Sequence, residues 1–298
     1  MTRQRIAAAL AMILAVATVI LLLHGLATRS APVTRAQARS IALVPMLSAT
    51  RLAALPEARY DAVIAGLLPA EHAADADTAY RLRTDAALYA ADRITPVARL
   101  AARDFLGEPT VVVPVESSGD WMRVLTPARQ RLPSDNAESA DTAAPEAHAP
   151  AQTSAWLRAD SLSSPTLLAQ RIVVSVSAQT LRIVRVGSRT GAVGGWAVGS
   201  WAVAVGAPGT PTPVGVTGYL EARYRDAAQG QAAHPVQLTS LHSTTADEPF
   251  GGDDGGLIGI HFETSTSGAV SHGCIRVPVE AIAAVDALPL GTLITIEE

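Results

Sequence analysis

Residues 171–187 read RIVVSVSAQTLRIVRVG. Both halves are rich in Val and Ile, which suit the pleated, half-buried surface of a strand. Ser177-Ala178-Gln179-Thr180 lies between them, so the stretch reads as a β-hairpin closed by a short turn. The same texture continues outward in WAVGSWAVAVG (196–206), VTGYLEARY (216–224), VQLTSLH (236–242) and LIGIHF (257–262). One helix stands out. Pro278 opens it, Val279, Ile282 and Val285 form its apolar stripe, and Pro289 with Gly291 stop it. TLITIEE (292–298) closes as a strand. Residues 170–298 are therefore expected to be mainly β, a sandwich or partly closed barrel with one short helix.

Before that region the strands are shorter. LYAA (88–91), GEPTVVVPVE (107–116), DWMRVLTP (120–127) and AWLRADSL (155–162) are bounded by Pro, Gly and Asp. Gly119-Asp120 reads as a tight turn before Trp121, and Trp121 and Trp156 are the expected core aromatics. Residues 128–153 carry Asp135, Glu138, Asp141 and Glu146, many Ala, Ser and Pro, and no aromatic. Such a segment buries too little to offset ordering, so it reads as a disordered insert. The stretch 80–163 resembles bacterial SH3-like modules, on VVVPVESSGDWMRV and AWLRADSL. In the linker 28–79, Tyr60, Val63, Ile64 and Leu67 fall on one helical face, and Pro56 suits the first turn of a short helix.

The N-terminus places the chain. Arg3 and Arg5 precede an uncharged run, IAAALAMILAVATVILLL, from Ile6 to Leu23. Eighteen residues of helix reach about 27 Å, close to the ~30 Å hydrocarbon core of a bilayer. Residues 1–27 therefore read as a transmembrane signal-anchor, or as a signal peptide with Gly25-Leu26-Ala27 as the cleavage site. Either sends the rest of the chain outside the cytoplasm, as a membrane-anchored or secreted protein. The formal net charge of −4 offers no basic excess for a phosphate backbone, which argues against nucleic acid as a partner.

The chain has one cysteine, Cys274. It can form no intramolecular disulfide and no cysteine-rich zinc site. It sits in IGIHFETSTSGAVSHGCIRVP (258–278), with His261, Ser271, His272 and Arg276. An unperturbed thiol, with a pKa of about 8.5, needs a base or a cation to become a nucleophile. His261 ends a predicted strand, and a short loop can bring it to Cys274. If 272–274 is extended, His272 and Cys274 share a face. Gly273 allows a bend, and the N–H groups of Gly273 and Cys274 are candidates for an oxyanion site. Arg276 offers a planar fork to a carboxylate. These are the parts of an acyl-transfer site. Two histidines and a cysteine are also a partial zinc or copper set, with Glu263, Asp253 or Asp254 as a fourth ligand. An inert buried thiol is the remaining alternative.

On His261 in IGIH and on Ser271-His272-Gly273-Cys274-Ile275-Arg276, residues 171–298 resemble the L,D-transpeptidase (YkuD) catalytic domain. Thr212-Pro213-Val214-Gly215 is similar to the family's Thr-Pro-x-Gly stretch. The resemblance implies that Cys274 is the nucleophile and that His261 accepts and returns the proton. It implies that the Phe262 carbonyl orients His261 and that His272, Ser271 and Gly273 support the site. Arg276, Thr212 and Pro213 are the implied substrate contacts. It further implies peptidoglycan stem peptides as substrate, 3→3 cross-links as product, carbapenem-type β-lactams as covalent inhibitors, and no metal or organic cofactor. With water as acceptor, the same site would be an L,D-carboxypeptidase. The chain departs from the family at Phe262, where a small residue is usual, and in a short loop between His261 and Ser271.

Overall fold

The computed structural model describes residues 46–70, 76–135, 149–186, 197–246 and 248–298. The run Ile6–Leu23 lies outside them. Among the described residues no helix is long and apolar enough to cross a membrane.

The first half holds β1 (Leu68–Pro69), β2 (Thr78–Arg81), β3 (Ala86–Tyr89), β4 (Pro96–Leu100), β5 (Val111–Val112), β6 (Pro114–Ser118), β7 (Trp121–Thr126), β8 (Thr153–Arg158) and β9 (Thr166–Leu167). One sheet runs β4-β3-β8-β7-β6, with β1 on β8, and a small one runs β5-β2-β9. Gly119, at φ +60°, turns β6 into β7 as expected. Trp121 and Trp156 are buried, each beneath a guanidinium, Arg158 and Arg93 respectively.

The second half holds β10 (Gln170–Ser175), β11 (Thr180–Arg185), β12 (Ala197–Ala202), β13 (Val205–Gly206), β14 (Val216–Asp226), β15 (Gln231–His242), β16 (Leu257–Phe262), β17 (Ala269–Ser271), β18 (Ile275–Val277) and β19 (Leu293–Glu297). The expected hairpin forms between β10 and β11, with Ser175 opposite Thr180. The sheet order is β12-β11-β10-β19-β14-β15-β16-β18. Strand β14 pairs β19 through Val216–Tyr219 and β15 through Leu220–Asp226, with register shifts against β15 at Leu220/Ala222 and Tyr224/Asp226. The sheet thereby folds over on itself. Leu181 and Ile183 from one end share a core with Ile258, Ile260, Ile275 and Val277 from the other. An antiparallel bridge between Ala204 and Arg276 joins the two ends. The helix Val279–Asp286 closes the core with Ala281, Ile282 and Val285, all fully buried. Burial of Ile282 and Val285 contributes roughly 1.5–3 kcal/mol of transfer free energy each.

The two halves pack through Val113, Leu125 and Leu168 against Tyr219 and Leu293. Two expectations fail in the first half. No helix follows Pro56; the five-residue helix is Ala49–Ala53. A short isolated helix is marginal, and here the backbone finds sheet partners instead. Ala58 N donates to Arg99 O and Ile64 N to Arg129 O, while Ala58, Ile64 and Leu67 enter the core. Nor are the two ends of the stretch 128–153 disordered as expected. Residues 136–148 lie outside the described ones, but Ala128, Arg129, Ala149, Ala151, Gln152 and Thr153 are buried. Arg129 anchors one end through the carbonyls of Ser243, Gly255 and Gly256, a long-range satisfaction that composition cannot reveal.

Candidate active site

Strands β16 and β18 are parallel, with Ile260 opposite Ile275 and His261 opposite Arg276. Alternation along β16 puts Gly259 and His261 on one face. Cys274 lies just before β18, beside Gly259, whose N–H points at its Sγ from 3.4 Å. Gly259, His261 and Cys274 line one cavity of about 630 Å³.

The loop carrying Cys274 is braced from beneath. Ser271 Oγ donates to the Cys274 carbonyl at 2.5 Å and accepts the Gly273 N–H at 3.2 Å. Thr212 Oγ1 donates to Gly273 O at 2.8 Å and accepts from Gly206 N at 2.9 Å. Thr210 Oγ1 donates to Ser271 O at 2.8 Å. Gly273 sits at φ +107°, and a Cβ there would press on Ile258 Cδ1 at 3.0 Å, so only glycine fits without strain.

His261 Nδ1 is 3.3 Å from the Phe262 carbonyl, which also accepts from Gln231 Nε2 at 2.9 Å. A carbonyl only accepts, so Nδ1 carries the proton and Nε2 keeps its lone pair. Burial lowers the His261 pKa, against the Phe262 carbonyl and Glu263, which raise it; Arg276 lowers it further. Burial raises the Cys274 thiol above its ordinary 9.0, against the Gly259 N–H and the Arg276 charge, which lower it. At neutral pH the pair is therefore a neutral thiol and a neutral imidazole, suited to proton transfer during attack.

Several expectations need correction. His272 does not share a face with Cys274. The bend at Gly273 turns it outward, where it is exposed and faces the Phe250 ring. The Gly273 N–H is engaged by Ser271, which removes it as a free oxyanion donor. Thr212 and Pro213 are buried and do not line the cavity; Thr212 supports the loop instead. Arg276 is not a lining residue either. Its backbone is tied to Ala204 in both directions, and its Nε is buried without a partner. Its effect on the site is electrostatic.

Sequence reasoning missed Gly259, although its position two residues before His261 was a period-2 signal. It also missed Tyr60, Phe105, Leu106 and Arg129, which line the same cavity from the first half of the chain. His242 lines it too, but is buried, donates Nε2–H to Tyr60 O at 3.0 Å, and has a pKa pushed down to about 3 by burial and Arg129. That makes it a fixed neutral prop. Among the described residues no group of three or more His, Cys, Asp or Glu is arranged to hold a metal ion.

Residues 169–296 match the L,D-transpeptidase catalytic domain, YkuD. All of Gly259, His261, Ser271, Gly273 and Cys274 fall inside that catalytic domain, whereas Tyr60, Phe105, Leu106 and Arg129 fall outside it. No curated protein matches the chain. Among solved structures, an L,D-transpeptidase from Mycobacterium tuberculosis H37Rv aligns over 79% of this chain and 98% of its own, at 16% identity and TM-score 0.32. L,D-transpeptidase 3 from Mycobacterium tuberculosis, in complex with a faropenem-derived adduct, aligns over 79% and 98%, at 15% identity and TM-score 0.32. A fused Zn-dependent amidase/peptidase/peptidoglycan-binding protein from Clostridium acetobutylicum aligns over 45% of this chain, at 20% identity and TM-score 0.30. The chain spans only 54% of that protein's length.

Proposed function

We propose that this chain is a peptidoglycan L,D-transpeptidase, working outside the cytoplasmic membrane through a thioester on Cys274. The observation that carries the reading is the placement of Cys274 and His261 on one cavity, inside the segment that matches the catalytic domain. The Cys274 sulfur attacks the carbonyl of the bond to the terminal D-residue of a stem peptide, and its proton passes to His261 Nε2. The C–N bond breaks, the imidazolium protonates the leaving amine, and a thioester remains. A side-chain amine of a second stem attacks that thioester and gives its proton to His261. The C–S bond breaks and the thiol is restored by the imidazolium. Splitting the transfer through a covalent intermediate is the service a thiol provides. The role of N–H donor toward the sulfur falls to Gly259. The same thiol is the expected target of carbapenem-type β-lactams. The N-terminal apolar run would hold the enzyme at the membrane, and an SH3-like fold for the first half would fit a wall enzyme.

Intact-mass measurement tests this. Purified enzyme incubated with a tetrapeptide stem should gain an acyl group on Cys274, released on adding an amine acceptor as a cross-linked peptide. Release only as free acid would point to the carboxypeptidase. An absence of any adduct, with peptide and with carbapenem alike, would sink the assignment.

A further inference from the structure

The cavity beside Cys274 has a second wall that belongs to no part of the catalytic domain. Tyr60, Phe105 and Leu106 lie between 63 and 109 residues before its first matched position, 169, yet line the same cavity as the thiol. Three observations make this wall a built feature. The Tyr60 and Phe105 rings pack at 4.7 Å between centroids. Phe105 is seated on the catalytic sheet against Ala222, Val236 and Leu238. The loop that carries it is pre-organised: Asp104 Oδ1 accepts the N–H groups of Leu106 and Glu108, each at 2.9 Å, and Gly107 adopts φ +83°. Leu106 at its tip is 41% exposed. An apolar side chain held out at the edge of a reactive cavity is suited to close over an apolar stretch of ligand.

We propose that Phe105 and Leu106, with Tyr60, form the wall that holds the aliphatic flank of the peptide donor against Cys274, so that specificity is set in part outside the catalytic domain. This rests on the acyl-transfer reading above and names the residues that select its substrate. Phe105 and Leu106 are positioning residues. They carry no chemistry, so their loss acts on peptide capture and leaves the thiol itself unchanged.

The test uses the full chain, with Leu106→Gln and Phe105→Ala, and two readouts. Alkylation of Cys274 by iodoacetamide reports the thiol with a reagent too small to need the wall. Turnover of a tetrapeptide donor, with an amine acceptor, reports the wall. The expected result is a rise in donor KM of about tenfold in each variant, the scale of a lost apolar pocket contact, with alkylation within twofold of wild type. Leu106→Gln is at the surface, so it decides the matter if Phe105→Ala lowers Tm. Wild-type turnover with unchanged KM in Leu106→Gln overturns the wall alone. Wild-type protein that alkylates but never turns over peptide overturns the function, and the wall with it.

Discussion

The floor of the cavity, around Cys274, is held by the hydroxyls of Thr210, Thr212 and Ser271, whereas the opposite wall, Tyr60 and the 104–108 loop, is held by aromatic packing and one aspartate. The floor is rigid because each of those hydroxyls is tied to a backbone group of the loop that carries Cys274, and losing one leaves a buried polar group unpaired. The wall is seated by apolar packing of Phe105 on Ala222, Val236 and Leu238, which is tolerant of shape. The difference separates two tasks. Chemistry needs fixed positions within a few tenths of an ångström, while selection needs a surface that can change without disturbing them.

The largest expected effect lies on the floor. Cys274→Ala should lower acyl transfer by at least about 10³-fold, the scale of removing a nucleophile, with the same Tm as wild type. Retained transfer in that variant would break the comparison at its root.

Next is pH. The proposed base, His261, can accept a proton only while neutral, and its pKa lies below the ordinary 6.5; the Cys274 thiol lies above 9.0. One proton is needed on the pair, so kcat/KM should stay level from about pH 6.5 to 9 and fall about tenfold per unit beyond the acidic limb. An optimum confined near pH 7, with alkylation equally fast at pH 5, would instead show a thiolate–imidazolium pair.

Thr212→Val should then cost about 1–3 kcal/mol, because Gly273 O loses a donor and Gly206 N an acceptor. That is a fall in Tm of roughly 2–4 °C per kcal/mol for a body of this size. An unchanged Tm would mean that the floor is not held by its hydroxyls.

The floor was also the legible part. The hairpin around 177–180, the strand that carries His261 and the helix after Pro278 follow local rules, and each forms. The SHGC loop displayed its thiol openly, though not its shape: the backbone turn at Gly273 sent His272 outward. Thr212 showed that a motif residue can brace a site without lining its cavity. The wall left no local trace. Phe105 and Leu106 carry no period, and Arg129 sits in a stretch whose composition resembles disorder. Their positions are fixed by partners more than 100 residues away, at Ala222, Leu238, Ser243 and Gly255.

The last expected effect concerns the wall loop, at a carboxylate that feels the charge of Asp104. Glu221, on β14, is partly exposed as a residue, but its Oε2 is buried without a hydrogen-bond partner. Burial raises its pKa from 4.5 to about 8, helped by the charge of Asp104. The folded state thus holds this proton more tightly than the unfolded state. Its stabilising contribution is complete below about pH 4.5 and is lost as pH rises through about 8. Glu221→Gln removes that dependence. Its Tm should match wild type near pH 4.5 and exceed it at pH 8–9, the gap opening as pH rises and levelling off above about 8. A constant gap would show that Glu221 does not titrate across that window. Hydrogen exchange locates the consequence. Ionised Glu221 repels Asp104, the carboxylate that caps the wall loop, so the amides of Leu106 and Glu108 should lose protection at pH 9 beyond the intrinsic base-catalysed rate in wild type and keep it in Glu221→Gln. Equal protection in both would mean that the wall is anchored by Phe105 packing alone.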